Sequence, residues 1–292
     1  MNENEQLDYM AGYFDANGCV TGKNDAREGP LLWCNVTTIH TRITDLYKSI
    51  FGGYVTVIAR PDKQYASRLI QSTRETFQWR VEHRKAVAFA AAVHEHAQLK
   101  RPQLDILLAM QTLRGDGHRV SPSNKAARLE LLNKLRLLNK GLYADSGQTI
   151  SDNLSIPYIA GYFDGDGCIT GQVQDNTAGA KCSTSSIDLE LLNILHLRYG
   201  GSVAKIFDAA SNDGSRVGIH DSFSWQLSLN QSVPFVSEIL PYLLLKQTQA
   251  RALLEMASLR HDRKLGTKMP DETRARRFEL LSIIKAANQN KQ

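Results

Sequence analysis

The chain has 292 residues, 42% hydrophobic and 22% charged, with 35 Lys plus Arg against 30 Asp plus Glu, a net charge of +5 and a pI near 9.0. That length predicts about two domains, and the composition excludes a wholly disordered or fibrous chain. Four cysteines are too few for a disulfide scaffold, no apolar run is long enough to cross a bilayer, and the start MNENEQ lacks signal-peptide character, so we expect a soluble intracellular protein with reduced thiols, in a bacterial cytoplasm or an organelle.

In chain order, the first predicted element is an apolar helix that contains YMAGYFDANGC at 9–19 and ends on Gly18, read as a glycine cap. Two strands follow at 18–24 and 31–39, then an amphipathic helix at 40–51 closed by Gly52-Gly53. Strands at 54–60 and 75–82 come next, the second with Phe77, Trp79 and Val81 on one side and Thr76, Gln78 and Arg80 on the other. Helices at 84–97, 100–113 and 123–139 complete the set.

The same order then begins again. Residues 158–168 read YIAGYFDGDGC, identical to 9–19 at eight of eleven positions and offset by 149. Strands at 167–174 and 181–187, a helix at 188–199 closed by Gly200-Gly201, strands at 202–207 and 222–229, and helices at 232–243, 246–260 and 271–288 repeat the pattern at offsets of 146 to 149. A period this long means a duplicated domain rather than a solenoid. The expected division is one unit at 1–140, a linker at 141–153 and a second unit at 154–292. The fold class is α+β, two tandem αββαββα units with antiparallel sheets. The cysteines fall into two repeat pairs, Cys19 with Cys168 and Cys34 with Cys182, read as small buried residues.

Within the repeated motif, Ala11-Gly12 and Ala160-Gly161 remove side-chain bulk and suit close helix packing. Asp166 sits at a helix C-terminus, where the unpaired carbonyls make a carboxylate unfavourable by roughly 0.3–1 kcal/mol. A divalent cation would reverse that balance. The polar side of the later strands, repeated in both copies, points to a binding face.

Met10–Gly18 and Ile159–Gly167 resemble the two motifs of the single-chain LAGLIDADG homing endonucleases. The resemblance covers nearly the whole chain. It implies two units related by a pseudo-twofold, with antiparallel sheets forming a saddle in the DNA major groove, and a monomer that cuts both strands of a long duplex site. It implies Mg²⁺ or Mn²⁺ as the cleavage cofactor, with Ca²⁺ supporting binding without cleavage. The metal ligands it implies are Asp166 and the Gly165 carbonyl in the second copy, and Asn17 and Ala16 in the first. Asn17 departs from the family pattern, because it keeps a neutral acceptor and loses the charge that holds a hard cation. The expectation is an enzyme that nicks or is impaired in double-strand cutting. Asp15 and Asp164, at the sixth motif position, are implied to be structural. Lys100 and Lys246 match a basic residue near each active site, and Thr38 and Ser186 a polar residue that positions water.

The implied DNA contacts are Lys23, Asn35, Thr37, Arg60, Lys63, Arg68, Arg74, Gln78 and Arg80 in the first copy. In the second they are Gln172, Gln174, Lys181, Ser183, Ser185, Lys205, Arg216, His220, Ser224 and Gln226. Trp33 has no counterpart, Lys181 standing at its position, and is expected to pack in the core. Arg260, Arg263, Lys264, Lys268, Arg274, Arg276 and Arg277 form a basic flank that either faces solvent or touches phosphate. A group I intron RNA maturase and a non-catalytic DNA-binding protein of the same fold are the alternatives. A zinc protein is disfavoured because no C-x-x-C exists.

Overall fold

This is a computed structural model of the chain. It describes residues 1–26, 29–58, 63–65, 68–70, 75–113, 120–141, 150–174, 176–209, 220–259 and 269–289, with the backbone alone at 63–65, 68–70 and 174. The chain divides into two compact units, Gln6–Thr149 and Ile150–Lys291, the second taking in Met1–Glu5.

The first unit runs α1 (Glu3–Asn17), β1 (Gly18–Asp25), β2 (Gly29–Thr38), α2 (Thr41–Phe51), β3 (Tyr54–Ile58), the short pair β4 (Lys63–Tyr65) and β5 (Arg68–Ile70), β6 (Thr76–Glu82), α3 (His83–Val93), α4 (Arg101–Thr112) and α5 (Pro122–Asn139). The second runs α6 (Ile156–Asp166), β7 (Gly167–Gln174), β8 (Thr177–Ser186), α7 (Leu189–Tyr199), β9 (Ser202–Phe207), β10 (Ser222–Leu227), α8 (Ser232–Ile239), α9 (Gln247–Ser258) and α10 (Asp271–Gln289). Each unit holds a four-stranded antiparallel sheet, in the order β1-β2-β6-β3 and β7-β8-β10-β9.

Helices cover one face of each sheet, because alternate strand residues are apolar there. Val20, Cys34, Val36, Trp79 and Val81 are buried on that face in the first unit; Ile169, Cys182, Trp225 and Leu227 are buried in the second. Each core is centred on a tryptophan. Trp79 meets Phe89 edge-on and Trp225 meets Phe235 in the same way. Their indole N–H groups donate to the carbonyls of Gly52 and Gly200, both at 2.8 Å. The glycine pairs are needed here: all four have positive φ, and a Cβ at Gly53 or Gly201 would strike the carbonyl of Arg80 or Gln226.

Several expectations are corrected. Neither Gly18 nor its repeat mate Gly167 is a left-handed helix cap; neither has a positive φ, and both already belong to strands. Gly18 and Gly167 are required instead because the Phe14 and Phe163 rings fill the space a Cβ would take. The β4–β5 pair went unpredicted, since three residues are too few to show an alternation. Only half of the cysteine reading holds. Cys34 and Cys182 are fully buried, and burial raises both thiols, Cys182 to about 12. Cys19 and Cys168 are half-buried on the opposite strand face. No helix among the described residues is long and apolar enough to cross a membrane.

Candidate active site and nucleic-acid interface

Each motif helix ends in a reciprocal clasp with the segment that starts a later helix. In the first unit Asp15 is buried, and its carboxylate accepts the backbone N–H groups of Gln98, Leu99 and Lys100 at 2.6, 2.9 and 2.9 Å. Those groups lead into α4, so the carboxylate satisfies donors that the helix start leaves open. Lys100, the N-cap residue of α4, returns its ammonium to the Asp15 carbonyl in the last turn of α1. The positive charge meets the negative end of the motif helix.

The second unit repeats the arrangement. Asp164 accepts from the backbone N–H groups of Leu244, Leu245 and Lys246 at 2.6, 3.0 and 3.1 Å. The Lys246 ammonium donates to the carbonyls of Phe163 at 2.9 Å and Asp164 at 2.5 Å, and it is buried. Lys100 and Lys246 also lie 5.9 and 5.8 Å from the centres of the Phe14 and Phe163 rings. Phe, Asp and Lys side chains therefore make one device, twice. The spacing YFD plus a distant lysine carries the signal in sequence, but the three N–H bonds to the aspartate do not show there.

Beyond the clasp, the last residue of each motif helix differs. Asp166 is exposed at the end of α6; Asn17 is half-buried at the end of α1. Gly165 and Ala16 precede them, both half-buried. Among the described residues no three His, Cys, Asp or Glu side chains gather as a protein-only metal cage. The donor set at Asp166 suits a hard cation that takes one carboxylate and draws its other ligands from water and phosphate. Asn17 offers a neutral oxygen only, which fits such a cation poorly.

Thr38 and Ser186 close turns at the ends of β2 and β8. The Thr38 hydroxyl oxygen accepts from the His40 N–H at 3.1 Å and from the Tyr13 hydroxyl at 2.9 Å; Ser186 accepts from the Asp188 N–H at 3.0 Å.

The uncovered face of each sheet carries the polar strand positions. In the first unit the pairing register sets Cys19, Asn35 and Arg80 in one row across three strands, Thr21, Trp33 and Glu82 in the next, and Thr37 beside Gln78. Gln78 donates to Thr37 at 3.1 Å. In the second unit Cys168 lies beside Ser183 and Gln226, and Thr170 beside Lys181, whose ammonium is 3.4 Å from the Gln226 side-chain oxygen. Ser185 and Ser224 are paired neighbours, Ser224 being buried. Lys23 and Gln172 are exposed near the far ends of β1 and β7, and Lys23 is 3.9 Å from Asp25.

Not every predicted contact joins these faces. Lys205 pairs with Phe223, on the Trp225 side of the sheet, and is held by Asp221 at 2.6 Å and Asp208 at 3.6 Å. His220 is half-buried in the bend before β10. Arg60, Arg74 and Arg216, and the side chains of Lys63, Arg68 and Gln174, lie outside the described residues. So do Arg260, Arg263, Lys264 and Lys268 of the basic flank, where Arg274 pairs with Asp271 and Arg276 with Glu255 and Glu279. Trp33 is corrected: it stands on the polar face, not in the core, with the Arg80 guanidinium carbon 3.9 Å from its ring centre. Strand alternation with Asn35 and Thr37 carried that signal. Thr21, Thr170, Tyr54 and Glu82 also reach this face, and they were missed because only the register reveals them.

Two α+β units, each with a motif helix ending beside a polar-faced sheet, define a duplicated fold. No family profile matches the chain, and no curated protein matches it in sequence. Solved structures match it in fold. I-LtrWI, a LAGLIDADG homing endonuclease bound to target DNA, is 12% identical, with 96% of this chain and 98% of that chain covered at a TM-score of 0.70. I-SmaMI, bound to an uncleaved DNA target in the presence of calcium ions, is 13% identical, with 98% and 99% covered at 0.67. I-AabMI, a LAGLIDADG meganuclease bound to uncleaved DNA, is 12% identical, with 98% and 99% covered at 0.66. The chain has the fold of the LAGLIDADG homing endonucleases.

Proposed function

We propose that the chain is a LAGLIDADG homing endonuclease that binds a long duplex DNA site through the two polar sheet faces and cleaves it unequally. The observation that carries this reading is the clasp built twice, with an exposed Asp166 beyond it in one unit and Asn17 in the other. In the second unit Asp166 and the Gly165 carbonyl would hold a divalent cation, Mg²⁺ or Mn²⁺ for cleavage and Ca²⁺ for binding alone. Such a cation, when bound, polarises the scissile phosphate and makes bound water a better nucleophile.

The chain's own residues set the stage. Asp164 fixes the end of α6 through three N–H bonds, so Asp166 is presented from an anchored helix end. Lys246 offsets the carbonyl charge of that helix end and supplies positive charge beside the phosphodiester. Lys100 does the same in the first unit, where Asn17 and Ala16 offer neutral oxygens to any cation. Thr38 and Ser186 keep the strand ends in place through their turns. Cys19, Thr37, Gln78 and Arg80, with Gln172, Lys181, Ser183, Ser185 and Gln226, face the DNA, Asn35 and Ser224 being buried on the same strand faces, and the protein acts as a single chain.

A selection from randomised duplexes tests this reading. The expected result is one enriched long site, bound uncut in Ca²⁺ and nicked mainly on one strand in Mg²⁺. Failure to enrich any duplex, with retention of intron RNA alone, rejects it.

A further inference from the structure

At the far end of the first polar face, four side chains form a connected group. The Arg80 guanidinium carbon lies 3.9 Å from the centre of the Trp33 ring. Its Nη2 meets Glu82 Oε1 at 2.5 Å, and the Tyr54 hydroxyl donates to the same oxygen at 3.1 Å. The side chains of Arg80 and Glu82 keep 26% and 32% of their exposure, so the group is accessible without being loose. Stacking fixes the plane of the guanidinium, and the carboxylate fixes its rotation in that plane.

The second unit lacks every part of this. Lys181 replaces Trp33, Gln226 replaces Arg80 and Ser228 replaces Glu82. A single long contact of 3.4 Å joins Lys181 to Gln226. Among the described residues those side chains have neither a stacking surface nor a charged partner across the pair, and they can turn to suit different bases.

We infer that Arg80 reads one guanine and that Trp33 and Glu82 are positioning residues that make that reading sharp. The inference rests on the sheet face being the DNA-reading surface, as proposed above. Guanine offers O6 and N7 as two acceptors on one edge in the major groove, which a planar guanidinium held at a fixed angle meets with paired donors. A flexible arginine on the same strand would be drawn to phosphate as readily as to a base. A carboxylate on a DNA-facing surface opposes binding unless it is paired, and here Arg80 pairs it.

Site selection in Ca²⁺, with the full chain and deep sequencing of bound duplexes, tests the inference. The parent protein should show a guanine preference of about tenfold or more at one position of one half-site, in the range of a good bidentate pair. Arg80→Ala should abolish that preference. Trp33→Leu and Glu82→Gln should each cut it to about threefold or less, with preferences in the other half-site unchanged, and Trp33→Phe should restore most of it. The unchanged half-site separates lost positioning from lost folding. An unaltered preference in Trp33→Leu, or a base preference indifferent to Arg80→Ala, overturns the inference and leaves the DNA-binding reading intact. If the parent enriches no duplex, that reading fails and this one with it.

Discussion

The motif ends of the two units match closely, and the far ends of their sheets do not. At the motif end a buried aspartate accepts three backbone N–H groups and a lysine returns to the helix carbonyls, with distances that differ by no more than 0.2 Å between the Asp15 and Asp164 carboxylates (2.9 against 3.1 Å at the lysine N–H). At the far end Leu31, Leu32 and Trp33 are replaced by Gly179, Ala180 and Lys181. The first unit turns from β6 directly into α3 through His83, whose φ is +54°. The second detours through residues 228–231 before α8. A cavity of about 30 Å³ near Leu31, His83 and Arg128 becomes a cleft of about 710 Å³ near Gly179, Gln231 and Arg277. The clasp cannot vary piecemeal, because each group satisfies another that would be left buried and unpaired. At the far end the first unit has its own linked group, Trp33, Arg80, Glu82 and Tyr54, and the second unit has replaced it as a set with Lys181, Gln226, Ser228 and Ser202.

The largest expected effect lies beyond the clasp, where the units already differ. Asp166→Asn should lower cleavage by more than about a hundredfold, above the 10–100-fold typical of residues behind a metal ligand, with duplex binding in Ca²⁺ retained. Cutting that survives this change would mean Asp166 holds no metal. Within the clasp, Asp15→Ala and Asp164→Ala should each cost about 3 kcal/mol or more, since three N–H groups lose a charged acceptor. Denaturant titration should return similar losses for the two, and a large inequality would break the equivalence of the motif ends.

Gly18→Ala and Gly167→Ala should destabilise by about 1–3 kcal/mol, the cost of pushing a methyl group into a packed ring. Gly179→Ala should do the opposite, since its Cβ meets nothing within 4 Å and the change narrows the unfolded ensemble, a gain of about 0.5 kcal/mol. The smallest effect is a pH dependence in the first unit. Burial opposes the His94 imidazolium, but hydrogen bonds to Glu95 and Asp105 outweigh it and raise the histidine above its usual range. A raised value stabilises the fold at low pH, below the unfolded value near 6.5. That contribution disappears as pH rises through the folded value. Melting temperature should therefore fall slightly from pH 6 to 8, and His94→Leu, which installs the residue of the second unit at Leu240, should flatten the change.

Much of this was legible in the residues. Hydrophobic alternation placed the core tryptophans, the glycine pairs marked helix ends, and the repeated YFD with a distant lysine placed the clasp partners in order. What stayed hidden depends on register. Trp33 alternates with Asn35 and Thr37, yet its lack of a counterpart in the second copy argued for the core, and pairing sets it beside Glu82. Lys205 looked like a sheet-face cation, but its partner is Phe223 and its charge meets Asp221. Gly167 looked like a cap because glycine after a helix commonly is one, and only packing shows the Phe163 ring beneath it.

In the proposed mechanism one motif end carries the cleavage chemistry, and Asn17 removes it from the other. Strand-labelled cleavage of the selected site in Mg²⁺, by the parent chain and by Asn17→Asp, tests it most directly. The parent should leave one strand mostly intact, and Asn17→Asp should raise double-strand breaks by about tenfold or more, the lower end of what a metal site loses through a weaker shell. Efficient cutting of both strands by the parent, or no change in Asn17→Asp, would contradict it.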